Sequence, residues 1–205
     1  METHRIHPEL LKHKVRVLVV GCGGNGSAIA AGLVVGAAGN VGRSAVFTAK
    51  AHGATVIAGV LKRQIADMQT GYAKTADMQS SDAKTFGADQ FVATDDDTAI
   101  ANLPPLDAVA DTVGGRTAEK LIARVKPGGV YASVVETPQN SAQYPSVKVV
   151  FVFSKFDRKT LEFMAEAVRD GKLVIPISQK LPLSEAAEAQ ATAEKGGSGK
   201  ILLVA

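Results

Sequence analysis

Tryptophan is absent from this 205-residue chain, and cysteine occurs once, as Cys22. A single thiol can form neither an internal disulfide nor a cysteine-built metal site, so the expected compartment is the reducing cytoplasm. Histidine is scarce as well: His4, His7, His13 and His52 are too scattered to complete a zinc site, and no metal is expected. Long apolar runs are missing, because Gly, Lys or Asp interrupts each stretch before the roughly 18 residues a membrane span requires. The opening METHRIHPELLKHK lacks the apolar core of a secretory signal, which predicts a soluble, unexported protein. Blocks of like charge are absent too. The 23 Lys and Arg are interleaved with 20 Asp and Glu for a net charge of +3, which offers no stripe to nucleic acid. No Ser/His/Asp grouping or carboxylate pair forms a catalytic constellation, so no catalytic residue is named.

What is abundant is small and apolar. Hydrophobic residues make up 46% of the chain, and 20 glycines accompany them. This composition suits short buried strands beneath small-faced helices. From Leu33 onward, β-rich segments alternate with helical ones at βαβ spacing, predicting an α/β fold: a Rossmann-type, doubly wound parallel sheet in three layers. Strands are expected at 31–35, 54–60, 90–93, 107–111, 129–135 and 147–153, with helices at 40–52, 116–125 and 158–169. After Leu173 the rhythm is expected to stop. LVIPI, a loop containing Pro182, the helix SEAAEAQATAEKG and the final KILLV are assigned to another sheet or a second lobe. The predicted division is therefore an N-terminal βα segment (1–32), a βα-alternating unit (33–172) and a small C-terminal appendage (173–205). Residues 66–75, ADMQTGYAKT, are nearly repeated at 76–85, ADMQSSDAKT. Ten residues do not fill whole helical turns, so a lengthened helix or a surface loop is expected there.

Two glycine loops compete for a phosphate-binding role. The first, Gly21, Gly23 and Gly26, follows the apolar run at 15–20. The second, GAAGNVG, comprises Gly36, Gly39, Asn40, Val41 and Gly42. Either could bring backbone amides and a helix N-terminus to a diphosphate. Between the first loop and the strand at 31–35 there is too little chain for a parallel crossover, which needs a dozen residues or more. The second loop leads into a full helix and the strand ATVIAGV, so it is taken as the working cradle. About 20 residues on, where an acid would read the ribose of NAD, the chain instead has Lys62 and Arg63. Adjacent cations favour the 2′-phosphate of NADP(H). They are also what a solvated helix start would look like. Asp95, Asp96 and Asp97 are read as another helix start, favoured by its dipole.

The strings VVGAAGNVGRSAVFTAKAHGATVIAG, FGADQFV, LDAVADTVGG, VKPGGVYASV and GKILLV make residues 33–205 resemble the cofactor domain of the medium-chain dehydrogenase/reductase superfamily, near its quinone oxidoreductase and zinc-binding alcohol dehydrogenase branches. Asn40 stands where that family usually has another glycine. The resemblance implies an NADP(H) site, with Asp111, Val113 and Gly114 toward the nicotinamide ribose, Ser133, Val134 and Val135 toward the nicotinamide, and Phe153 near the same pocket. A cap on the following helix is the competing role for Asp111. The resemblance also implies hydride transfer to a small electrophile such as a quinone or carbonyl compound, with the substrate pocket supplied by a GroES-like domain that this chain lacks. The C-terminal segments would then need another apolar partner, and a homo-oligomer is the expectation.

Residues 1–32 instead resemble the opening of ThiF-like adenylating enzymes, so the chain reads as a chimera. Two other readings remain open: a non-catalytic dinucleotide-binding or assembly module, and an ATP-dependent adenylating protein.

Overall fold

The computed structural model describes residues 31–66, 87–153, 157–195 and 200–205. The first glycine loop, Cys22, the three N-terminal histidines and all but Ala66 of the duplicated segment lie outside the described residues.

Six parallel strands form the main sheet: β1 (Ala31–Val35), β2 (Thr55–Val60), β3 (Gln90–Ala93), β4 (Leu106–Asp111), β5 (Val125–Ser133) and β6 (Lys148–Phe151), in the spatial order β3-β2-β1-β4-β5-β6. This is the doubly wound order, and the direction of winding reverses between β1 and β4. The helices α1 (Asn40–Ala51), α2 (Asp97–Ala101), α3 (Gly115–Ile122) and α4 (Arg158–Arg169) complete the unit.

Strand periodicity explains the layers, since alternate side chains of one strand face opposite sides of the sheet. Val34, Val56, Ala58 and Val60 pack under Ala45, Val46 and Ala49 of α1. Leu33, Val35 and Ile57 point the other way, into a core with Ile100 of α2 and Ala118, Leu121 and Ile122 of α3. Helix α4 joins α1 through Phe163 and Phe47, whose ring centroids are 5.5 Å apart. The result is the expected three-layer α/β sandwich, buried on both faces of β1 and β2.

Helix α1 ends as its sequence suggests: His52 is the C-cap and Gly53 follows at φ +79°, a conformation glycine adopts without the Cβ penalty. Several boundaries differ from the sequence reading, among them the end of β6, at Phe151 rather than at residue 153. Strand β5 starts at Val125 and ends at Ser133, so Val134 and Val135 lie beyond it, and α3 stops at Ile122 to let the chain enter β5. The C-terminal part does continue the βα rhythm. Strand β7 (Ile177–Pro182), α5 (Ala186–Glu194) and β8 (Lys200–Val204) form a parallel βαβ unit whose two strands make their own sheet. Pro182 belongs to β7 and not to a loop. As the last residue of a two-stranded sheet it need not donate to a second neighbour, so its missing N–H costs little.

Candidate functional site

The carboxyl ends of β1 and β4 meet at the reversal point, where open α/β sheets receive ligands. There Gly36 leaves β1 at φ +72°, and a Cβ on it would lie 2.5 Å from Thr112 Oγ1 and 2.7 Å from Val113 Cγ2. The Thr112 hydroxyl donates to the Val35 carbonyl at 2.7 Å, joining the ends of β1 and β4. The turn closes through the Gly39 amide on the Gly36 carbonyl, and the Ala37 amide donates to the Gly59 carbonyl of β2, both at 3.0 Å. Gly42 is buried in the first turn of α1, where a Cβ would come within 2.2 Å of the Gly36 carbonyl oxygen. Only glycine lets the helix start this close behind the turn.

The N-terminus of α1 is correspondingly open. Gly39 provides no side-chain cap, and the first turn carries no acid. The other helices of the main unit are closed by carboxylates. Asp96 caps α2 and Asp157 caps α4, and Glu136 Oε1 accepts from the Gly115 amide of α3 at 2.8 Å. A helix with positive partial charge at an uncapped N-terminus, held behind a turn that excludes side chains, fits a diphosphate. Gly36, Gly39, Asn40, Val41 and Gly42 are thus brought together as the sequence suggests.

Asp111 lies at the end of β4, but its carboxylate turns inward. It is 1% exposed and accepts from the amides of Val113 (2.9 Å) and Gly114 (3.0 Å), the Tyr131 phenol (2.9 Å) and the Ser133 hydroxyl (3.3 Å). What it shapes is the backbone. Its Oδ1 fixes the turn over Val113 and Gly114 at the entry of α3. Burial, and then the neighbouring carboxylate, push the Tyr131 phenol well above its ordinary range, so it stays protonated as the donor. Ser133 is fully buried, and its Oγ accepts from the amides of Val135 and Glu136, both at 3.2 Å. Asp111 and Ser133 therefore hold the two exit loops, while the parts left open are Val113, Val134 and Val135, which are 54%, 37% and 48% exposed, with Val41 at 54% across the turn. Phe153 is 78% exposed beyond β6, with its ring edge-on to Phe151.

Lys62 and Arg63 sit in a single 3₁₀ turn, Lys62–Gln64, right after β2, and both are exposed. The run from Gly59 to Gln64 contains no acid, but the loop after β3 brings two. Asp95 Oδ1 accepts from the Lys62 amide at 2.7 Å, and Asp96 Oδ2 lies 3.3 Å from Lys62 Nζ. As the sequence reading held, Asp96 and Asp97 also open a helix, α2.

Tyr131, Thr112 and Glu136 were not singled out from sequence. The only sequence signals are a polar residue just past a strand end and a tyrosine two positions before Ser133, and neither carries meaning until the register pairs Asp111 with Ser133. Among the described residues no group of three or more His, Cys, Asp or Glu could hold a metal ion, so no step through zinc is derived. No helix among them is long and apolar enough to cross a membrane.

No curated protein matches the chain significantly. Among solved structures, the quinone oxidoreductase from Coxiella burnetii is 27% identical over 94% of this chain and 56% of its own, with a TM-score of 0.70. An NAD-dependent alcohol dehydrogenase is 23% identical over 93% of this chain and 53% of its own, with a TM-score of 0.68. A thermostable alcohol dehydrogenase from Pyrobaculum aerophilum is 20% identical over all of this chain and 60% of its own, with a TM-score of 0.65. The last two likenesses speak for the fold alone, and this chain spans little more than half the length of such proteins. The zinc-binding dehydrogenase family model matches residues 86–203. That match leaves the resemblance of residues 1–32 to adenylating enzymes without support. Covering more than half of the chain, from just before β3 to β8, that match shows that the chain belongs to the zinc-binding dehydrogenase family.

Proposed function

We propose that this chain binds NADP(H) as the cofactor unit of a quinone- or carbonyl-reducing oxidoreductase. The observation that carries the reading is the uncapped α1 behind a turn in which a Cβ on Gly42 would strike the Gly36 carbonyl. On this reading the amides after Gly39 hold the diphosphate, and the exit loops fixed by Asp111 and Ser133 present Val113, Gly114, Val134 and Val135 to the nicotinamide half. Lys62 and Arg63 lie at the β2 end, where the adenine ribose binds in this fold, and two cations there favour a 2′-phosphate. The bound dinucleotide supplies the hydride, and the protein supplies position and electrostatics.

On this reading the chain divides functionally into a cofactor unit over 33–172 and a smaller unit over 173–205. Leu202, Leu203 and Val204 of β8 are 38–42% exposed, an apolar strip that self-association would cover and light scattering would reveal.

The test is a titration of the purified chain with NADPH, NADH and ATP, followed by nicotinamide fluorescence and melting temperature. NADPH is expected to bind and stabilise, and ATP to do neither. Lys62→Ala with Arg63→Ala should weaken NADPH about tenfold or more and NADH little, as loss of charge-assisted bonds to a phosphate would. Equal losses for both nucleotides would refute the phosphate role. NADPH binding without quinone-dependent oxidation would instead mark a non-catalytic module.

A further inference from the structure

Asp96 stands beside the cation assigned above to the 2′-phosphate. Its Oδ1 accepts from the Thr98 and Ala99 amides at 3.0 and 3.1 Å as the N-cap of α2, which fixes the carboxylate in place. Its Oδ2 is left to face Lys62 Nζ at 3.3 Å. Strand β3 pairs with β2, so Asp95 and Asp96 arrive at the β2 exit from the neighbouring strand, 33 and 34 positions away from Lys62 in the chain. The Lys62 side chain is 74% exposed, so this pairing is reversible, but the local charge at the exit is mixed rather than purely positive.

A phosphate monoester placed there has to compete with Asp96 for the ammonium and stand against two carboxylates. Arg63, next to it in the same turn, is exposed and forms no ion pair among the described residues. Its planar guanidinium also matches two phosphate oxygens at once, which an ammonium cannot do.

We propose that Asp96 holds Lys62 back from the 2′-phosphate, leaving Arg63 as the leading cationic contact, so that Asp96 limits how strongly NADPH is preferred over NADH. This rests on the NADP(H) reading of the site. Asp96 is a positioning residue acting through Lys62, and the exposure of the pair limits the effect to a few-fold in affinity.

Asp96→Asn removes the charge and keeps the cap, since Asn caps helices as well as Asp does, and Asp96→Ser serves as a second capping variant. Dissociation constants for NADPH and NADH are measured on the full chain by nicotinamide fluorescence at low and high salt. Both variants are expected to tighten NADPH about two- to fivefold at low salt, to leave NADH nearly unchanged, and to lose the gain at high salt. Lys62→Ala should cost more NADPH affinity in the Asp96→Asn background than alone, while Arg63→Ala should cost the most in either. If the Asp96 variants leave the NADPH to NADH ratio unchanged while Lys62→Ala or Arg63→Ala lowers it, the proposal is overturned and the phosphate reading stands. Equal shifts for both nucleotides would reduce Asp96 to a helix cap and also overturn it. A ratio untouched by any of these variants overturns both.

Discussion

The Tyr131 phenol donates to Asp111 Oδ2 at 2.9 Å inside the main sheet, with Tyr131 fully buried and Asp111 1% exposed. Through the other Asp111 oxygen this bond is continuous with the amides of Val113 and Gly114, so one buried carboxylate ties the middle of β5 to the loop that leaves β4. The same carboxylate takes the Ser133 hydroxyl, whose oxygen holds the loop after β5. Both exit loops therefore depend on side chains buried inside the sheet.

Asp111→Ala is expected to cost about 3 kcal/mol or more, because it strands a phenol, a hydroxyl and two amides that shared a charged acceptor. Tyr131→Phe should cost about 1–2 kcal/mol, and the double variant less than the sum, since the two changes remove one shared bond. Urea denaturation checks all three. The folded phenol titrates above its unfolded value, so the native state retains its proton longer. Its contribution is complete below about pH 10 and declines as pH rises above that, and the Tyr131→Phe variant should lack this alkaline loss. Additive costs would mean that the bond is incidental to the loops.

Gly42→Ala places a methyl group within 2.2 Å of the Gly36 carbonyl oxygen and 2.6 Å of Ala37 Cα, both backbone atoms that cannot swing aside. Helix α1 must then back away from the turn. The expected cost is about 1–3 kcal/mol in stability, with loss of dinucleotide binding beyond what partial unfolding explains. Gly53→Ala is the control. Its Cβ would meet nothing within 4 Å, so only the strain of its positive φ remains and binding should survive. Calorimetry with and without NADPH separates the two, and intact binding in Gly42→Ala would remove this glycine from the cradle.

Asp107 provides a test in acid. The Lys126 ammonium bonded to it at 2.8 Å, helped by the Ala31 amide and by the Lys126 charge, outweighs partial burial and holds its carboxyl below the usual range. A carboxyl depressed in the folded state stabilises the protein above its unfolded value, and that contribution is lost as pH falls below about 4. Melting temperature followed from pH 6 to 2 should therefore fall less steeply for Asp107→Asn than for the wild type. Parallel curves would show that this end of β1 does not depend on the charge.

Much of the fold can be read along the chain because local patterns suffice for it. Strands β1 and β3 and helices α1 and α4 follow apolar runs, helical periodicity and glycine or aspartate boundaries, and the structure places them at or within a residue of the expected limits. The turn from Gly36 to Gly42 is legible for the same reason, since its glycines answer to backbone geometry only a few residues away. The C-terminal unit was harder. A proline and a change of composition obscured a βα rhythm that reappears once β7 and β8 pair.

By itself, then, the sequence determined the parallel α/β class, the order of the first βαβ unit and the glycine cradle at its head, all of which depend on periodicity or on steric demands between near neighbours. Tertiary structure alone decided that Asp111 turns inward to Tyr131 and Ser133, that Glu136 closes α3, and that Asp95 and Asp96 stand beside Lys62. Each of those pairings joins residues about 20 to 34 positions apart through strand register, and register is set by how whole strands bury their faces rather than by any one residue's neighbours.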